Sequence, residues 1–265
     1  PYEIIVVDNN SDDRTSEVAR SFGVKVLLET ERGVCAARQA GYVAAVAPII
    51  ISTDADTTFH KDWLQKIYDT FQEQPDIVGV AGTPTFVDSP FWGYILVGII
   101  TLYVRAYNAL FRNTCYISAA NTAFKKSAFA GYNTKLTQGG DELYLLKQLK
   151  KHGRVVLRFD NAVFTSSRRL YRGFLYNLFV TQLLYYVFDY NIARITGRSL
   201  LGGYPAFREK TDFVLQKRNL QVGALMALLV VVSLYYWRHD QQLVAKLENQ
   251  VHSLEQLIKD RRSKI

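Results

Sequence analysis

Two rhythms of apolar and polar positions run along the chain, and one replaces the other near residue 89. Before that point, short apolar runs alternate with stretches of helical period. Ile4–Val7 is a continuous apolar run stopping at Asp8-Asn9-Asn10-Ser11, as a buried parallel strand ending in a loop would read. Thr15–Phe22 has helical character, with Gly23 as a stop. Val24–Leu28 reads as a second strand, Val34–Val46 as an Ala-rich helix, Pro48–Ser52 as a third strand and Ile77–Ala81 as a fourth. Between the last two, Asp62–Gln74 is an amphipathic helix with Trp63, Leu64, Ile67 and Phe71 on one side. Strands alternating with helices predict an α/β domain whose mostly parallel sheet is flanked by helices. Ligands in such sheets sit at the carboxyl ends of strands, which directs attention to the loops after Val7 and Ser52.

Beyond residue 89 the apolar runs lengthen. Residues 89–104 and 173–188 are each sixteen residues without a charge, and residues 219–237 are nineteen. A membrane span needs about 20 residues, with about 17 as a lower limit. Of the three, 219–237 is therefore the expected transmembrane helix, and Tyr235, Tyr236 and Trp237 at its end resemble an interfacial aromatic belt. The plainer reading is a buried core helix. The stretch 89–104 is expected to be buried or to lie at the membrane interface, and 173–188 to lie beside the membrane. In the tail, Val244, Leu247, Val251, Leu254 and Ile258 recur at steps of three and four, the seam of a short coiled coil or the face of a solvated amphipathic helix.

Charge sharpens this division. Residues 1–160 hold 17 Lys and Arg against 17 Asp and Glu; residues 161–218 hold nine against three; residues 219–265 hold six against four. The overall +8 is thus concentrated just before the longest apolar run. That placement suits an anionic membrane surface rather than nucleic acid, whose binders spread cations over a folded face. The excess before the span also favours placing the preceding domain on the cytoplasmic side. At 49% hydrophobic and 21% charged, the 265-residue chain is neither disordered nor of low complexity. Its two cysteines, Cys35 and Cys115, form no metal or disulfide framework. The chain opens on a strand without Met or signal peptide and reads as a fragment whose start is missing.

Three polar clusters carry candidate chemistry. Asp54 and Asp56 follow an apolar strand as a D-x-D pair, able to hold a hard divalent cation that neutralises a diphosphate. Ordinary turn chemistry would also place Asp there. Gly139-Gly140-Asp141-Glu142 precedes an amphipathic helix marked by Leu143, Leu146 and Leu149, where acids also serve simply as caps. Ser166-Ser167-Arg168-Arg169 presents adjacent guanidiniums suited to phosphate oxygens or to lipid headgroups.

Their order along the chain resembles the family 2 glycosyltransferases, inverting enzymes of the GT-A fold that use nucleotide-sugar donors. The resemblance rests on EIIVVDNNSDDRT (3–15), ERGVCAARQAG (31–41), ISTDADT (51–57), ISAANTAFKKSAF (117–129) and GGDELYLLKQLKKHG (139–153). It implies a GT-A, nucleotide-diphospho-sugar transferase-like domain over 1–170. A basic, aromatic membrane-proximal segment (171–218), the span (219–237) and an amphipathic or coiled-coil tail (238–265) would follow. It further implies donor binding by Asp8, Asn10, Ser11, Arg32, Gly33, Arg38 and Asp54, with Asp8 at the nucleotide base and Asp54 near the ribose. Asp56, with Asp54, would hold Mn²⁺ or Mg²⁺. Asp141 would be the general base, with Glu142 as the adjacent alternative, and Arg168 and Arg169 would lie near the diphosphate. The family's first strand, with its Asn-Glu nucleotide loop, is absent; Gln39 replaces an Asn, and Gly140 replaces the Glu that usually precedes the base.

The implied reaction is a single displacement. The base takes the acceptor's proton while cations stabilise the departing diphosphate. The implied partners are a nucleotide-sugar donor, a glycan or lipid-linked acceptor, the membrane and, through the tail, a second copy; nucleic acid is not among them. Two other readings use the same residues: a sugar nucleotidyltransferase, which would carry a Gly-rich loop after the first strand, and a non-catalytic membrane-tethered scaffold.

Overall fold

The computed structural model describes residues 1–136, 141–189, 191, 192, 196, 200 and 201. The chain divides into two units, Pro1–Thr211 and Asp212–Ile265, and every described residue belongs to the first. The span expected at 219–237, the coiled-coil tail and Gly139-Gly140 lie outside the described residues.

The first unit follows the anticipated alternation: β1 (Ile5–Asp8), α1 (Thr15–Ser21), β2 (Lys25–Leu28), α2 (Val34–Ala44), β3 (Ile49–Ser52), α3 (Trp63–Glu73) and β4 (Ile77–Val87). Then come α4 (Phe91–Phe111), β5 (Thr122–Lys125), α5 (Leu143–His152), β6 (Arg154–Ser166) and a wide-turned helical segment, Tyr176–Asp189. β1 and β2 pair in parallel as one small sheet; the other strands form a second sheet in the order β3-β5-β4-β6.

That second sheet is mixed, which corrects the expectation of a mostly parallel one. β5 runs antiparallel to both β3 and β4, and β4 and β6 run parallel. A short apolar run such as Thr122–Lys125 carries no mark of its direction, which is set by the return of the chain from α4.

Successive residues of the central strands face opposite layers. Val80 and Ala123 pack under α3 with Trp63, Ile67 and Phe71. Ala81 and Phe124 pack under α5 with Leu145, Leu146 and Leu149. Both helices are rotated slightly from the expected faces. On α3 the buried stripe takes Thr70, while Leu64 is exposed; on α5 it takes Leu145 rather than Leu143. A buried amide relay fastens the layers: Trp63 Nε1 donates to Asn121 Oδ1 (3.0 Å), Asn121 Nδ2 to the Asn161 carbonyl (2.8 Å) and Asn161 Nδ2 to the Trp63 carbonyl (3.2 Å). Gly82 makes room for it, since a Cβ there would lie 2.1 Å from Asn121 Nδ2.

Counting uncharged residues stopped the first long apolar stretch at Arg105, but the helix continues through it. At 21 residues α4 is long and apolar enough to cross a membrane, alone among the described residues in this. It is not a core helix: Gly93 and Val104 are its buried residues.

Candidate active site

The site is assembled at the ends of β3 and β6 around one arginine. α2 follows Gly33 at its N-cap and buries Cys35 and Ala36, side chains small enough to let Arg38, one turn on, reach into the domain. Its guanidinium is a four-way junction. Nη2 donates to Asp54 Oδ1 at 2.6 Å, Nε to Asp141 Oδ2 at 3.1 Å, and Nη1 to the Ser52 hydroxyl and to the Ala119 carbonyl, the latter at 3.4 Å. Burial alone would ease its proton off, but Asp141 and Asp54 more than offset that and hold Arg38 above its ordinary pKa. Two acids 87 positions apart in sequence thus share one cation, with the Asp141 side chain at 10% exposure and Asp54 at 45%, nearer solvent.

Glu142 faces the other way. Its Oε1 accepts the Ala119 N–H at 3.1 Å and the Tyr116 hydroxyl at 3.4 Å. Loss of solvent and the adjacent Asp141 push its carboxyl up to about 8. It braces the 116–119 turn. Cys35, beside the same acid, is pushed up to about 12, first by burial and then by Asp141, which leaves it an inert thiol.

The D-x-D loop is held at its far end by β6. Thr58 and Phe164 exchange both backbone hydrogen bonds, at 2.8 and 2.9 Å. Asp56 therefore meets the end of that strand, where Thr165 Oγ1 donates to Oδ1 (3.3 Å) and Arg168 Nη2 lies 3.1 Å from Oδ2. Arg169 caps with its backbone, its carbonyl accepting from Asn177 Nδ2 at 3.1 Å.

The third group of expected residues lies on the smaller sheet. Asp8 is 4% exposed, and its carboxylate accepts the Ser11 N–H at 2.9 Å and the Ser16 hydroxyl. Those hydrogen bonds, Ser16 first, hold it below the usual carboxylate range. The carboxylate thereby shapes the loop, with Asn10 at φ 57°. Gly33 N–H donates to Asn9 Oδ1 at 2.7 Å, and Asn9 Nδ2 donates to the carbonyls of Glu29 and Glu31, so Asn9 stitches the loops after β1 and β2 together. Arg32 stands exposed beside them.

Asn9, Ser52, Thr165 and the junction role of Arg38 were not anticipated. The family resemblance places Arg38 in donor binding; a single charge inside the Ala-rich run Val34–Val46 is the signal that could have pointed to its buried junction role.

The donor set suits a hard cation brought with its phosphate. Among the described residues, no three His, Cys, Asp or Glu side chains gather as a preformed cage. Asp54 and Asp56 nonetheless offer carboxylate oxygens from one loop, and Mg²⁺-type ions are commonly held by one or two carboxylates plus substrate phosphates. The buried Thr57 hydroxyl between this pair and β6 has no hydrogen-bond partner among the described residues, a group that costs free energy until something meets it.

Residues 1–132 match the family model described as Glycosyl transferase family 2. The chain carries a domain of that family. A glucosyl-dolichyl phosphate glucuronosyltransferase of Haloferax volcanii is 27% identical over 159 residues, covering 54% of this chain and 49% of that protein. A dolichyl-phosphate hexose transferase of the same organism is 36% identical over 76 residues, 29% of this chain and 33% of that one. The chain thus spans half or less of these curated relatives. Among solved structures, the mannosyltransferase PcManGT from Pyrobaculum calidifontis, in complex with GDP-Man and Mn²⁺, superposes with a TM-score of 0.53 at 18% identity, covering 74% of this chain and 55% of that one. This likeness is one of fold, and the glycosyltransferase domain here has the GT-A-like α/β architecture.

Proposed function

We propose that this chain is an inverting, metal-dependent glycosyltransferase that moves a sugar from a nucleotide-diphosphate donor to an acceptor on a membrane lipid. The observation that carries the reading is the Arg38 junction. It brings the D-x-D loop and the acid at the start of α5 onto one guanidinium, although 86 residues separate Asp54 from Asp141. A cap or a turn would need no such link.

Arg38 orients Asp141 as the base that takes the proton from the attacking acceptor oxygen, while Asp54 binds on the donor side. As that oxygen bonds to the anomeric carbon, the bond to the diphosphate breaks on the opposite face, which inverts the centre. Arg168, with Arg169, meets the charge that develops on the leaving diphosphate. A divalent ion held by Asp56 and Asp54 would supply further neutralising charge there. The loops of Asp8, Asn10, Ser11, Arg32 and Gly33 would receive the nucleoside. Relatives named for dolichyl-phosphate substrates support a lipid-linked acceptor, and the Mn²⁺ and GDP-Man in the fold neighbour support the cofactor and donor class. Attachment would be through 219–237, with the domain in the cytoplasm.

A thermal-shift panel of nucleotide sugars, with and without Mn²⁺, tests the reading. A donor at about 100 times its Kd should add about 2.7 kcal/mol of stability. A shift only with a nucleoside triphosphate and sugar phosphate would instead mark a nucleotidyltransferase, and no shift with any of them a scaffold.

A further inference from the structure

Among the described residues, nothing covers the outer face of α4. Phe91 (81% exposed), Ile95 (49%), Ile99 (61%), Leu102 (68%) and Leu110 (76%) recur at steps of three, four and eight, one continuous stripe along the helix. Tyr94 and Tyr103 flank it, both more than half exposed. Its N-terminal end is continuous with a second apolar group: the rings of Trp92 and Phe174 meet at 5.6 Å, and Tyr171, Phe174 and Leu175 are exposed. Soluble monomers rarely leave so long an apolar stripe bare.

α4 cannot reach across a bilayer, despite its length. It leaves β4 at Val87, which pairs with Ser166 at the end of β6. Three residues past its other end, Thr114 Oγ1 donates to the Val155 carbonyl near the start of the same strand, at 2.8 Å. Along the way Val104 is buried and the Arg105 guanidinium lies 4.7 Å over the Phe159 ring. The helix therefore runs beside β6 from one end to the other. A spanning α4 would carry a polar sheet, with Asp56 and Arg168 at its end, into hydrocarbon.

Charge identifies what covers the face. No Asp or Glu occurs from residue 89 to 140 or from 161 to 188, while Arg105, Arg112, Arg168, Arg169 and Arg172 surround the stripe in sequence. A second copy docked symmetrically would set this cationic rim against itself. An anionic bilayer supplies the missing negative charge, and the Trp, Tyr and Phe side chains suit its headgroup level.

We propose that α4, with the apolar residues at 171–175, lies flat in the headgroup layer of an anionic membrane as a docking face of the domain. Ser167 Oγ donates to the Asp88 carbonyl at 2.7 Å, tying the segment that carries Arg168 to the N-terminal end of α4. Docking this face brings the Asp56–Arg168 edge of the site down to the lipid surface. The inference goes beyond the proposed reaction and stands without it.

The test labels the full chain, in a Cys115→Ser background, with an environment-sensitive fluorophore at Ile95→Cys, Leu102→Cys or Leu110→Cys. All three positions are exposed, and near-wild-type melting of each labelled protein verifies its fold. The protein is reconstituted in phosphatidylcholine vesicles containing phosphatidylglycerol, with lipids quenching either at the headgroup or deep in the acyl chain. All three labels should be quenched to a similar degree and mainly by the shallow quencher, at about 5–10 Å into the boundary. Deep quenching at Leu102 with shallow quenching at both ends would mean a spanning helix and overturn the proposal. Absence of lipid quenching at every position would also overturn it, even with the chain retained through 219–237, and energy transfer between labelled copies would then identify self-association. Depth reads no catalysis, so a failed donor screen and a failed docking face are separate results.

Discussion

Arg38 gives up solvent for two carboxylates, a serine hydroxyl and a backbone carbonyl, and each of those partners depends on it in turn. Removing one member of a buried ionic cluster leaves the others desolvated without compensation, at about 3–5 kcal/mol. Arg38→Met should therefore lower unfolding stability by that order in urea titrations. Arg38→Lys, a point charge without the fork, should recover only part of it. A loss below about 1 kcal/mol would mean the junction is a surface-type pair. The acids at the start of α5 separate differently. Asp141→Asn should lower kcat at least about 10²-fold with donor binding retained, because an amide cannot take the proton. Glu142→Gln should be mild in activity but visible in pH dependence. A carboxyl raised in the folded state stabilises fully below its unfolded pKa and loses that contribution as pH rises towards about 8. The melting temperature of the wild type should therefore fall relative to Glu142→Gln across that window, and parallel curves would show that Glu142 titrates normally. The acids themselves were legible from their motifs. The junction was not, because Arg38 and Asp141 are 103 positions apart and no local pattern encodes a contact at that range.

At the scale of elements, periodicity located most helices and buried strands but not their partners. Thr70 reads as polar in sequence yet is fully buried on α3, where its hydroxyl donates to the Lys66 carbonyl at 2.6 Å and accepts from Arg158 at 2.8 Å. Leu64, one step off the stripe, faces out. β6 was hidden for a related reason: its Arg158, Asp160 and Asn161 interrupt the apolar run, and Asn161 is buried only because Asn121 and Trp63 meet it. That relay gives a sharp expectation. A methyl at Gly82 would fall 2.1 Å from the Asn121 amide and 2.2 Å from the Asn161 carbonyl, both in the relay and unable to yield without breaking it. Gly82→Ala should cost about 3 kcal/mol or more, combining overpacking with orphaned buried amides. Equilibrium denaturation measures this, and a cost under about 1 kcal/mol would show that the layers can part locally.

For the whole molecule, the Arg38 junction reduces the question of topology to a single choice. Asp54 and Asp141 lie on opposite sides of α4 in sequence and on the same guanidinium in space, so the chain from 55 to 140 ends on the side of any membrane where it began. With 219–237 as the one proposed span, the domain is either wholly inside or wholly outside. We propose the inner side, since nine cations against three acids precede that span and six against four follow it. Cationic flanks are retained in the cytoplasm, and that is the compartment that makes nucleotide sugars. The expected outcome is that protease added to right-side-out spheroplasts leaves the domain intact and digests it only after lysis. Digestion in intact spheroplasts would reverse the orientation and, with it, the source of donor. Truncation separates the two proposed attachments. Without residues 219–265, the chain should leave neutral vesicles but stay on anionic ones at low salt, and release there should follow the shortening of the Debye length from about 30 Å at 0.01 M to about 3 Å at 1 M. Complete release at low salt would make 219–265 the whole anchor and leave the α4 face without a role in retention.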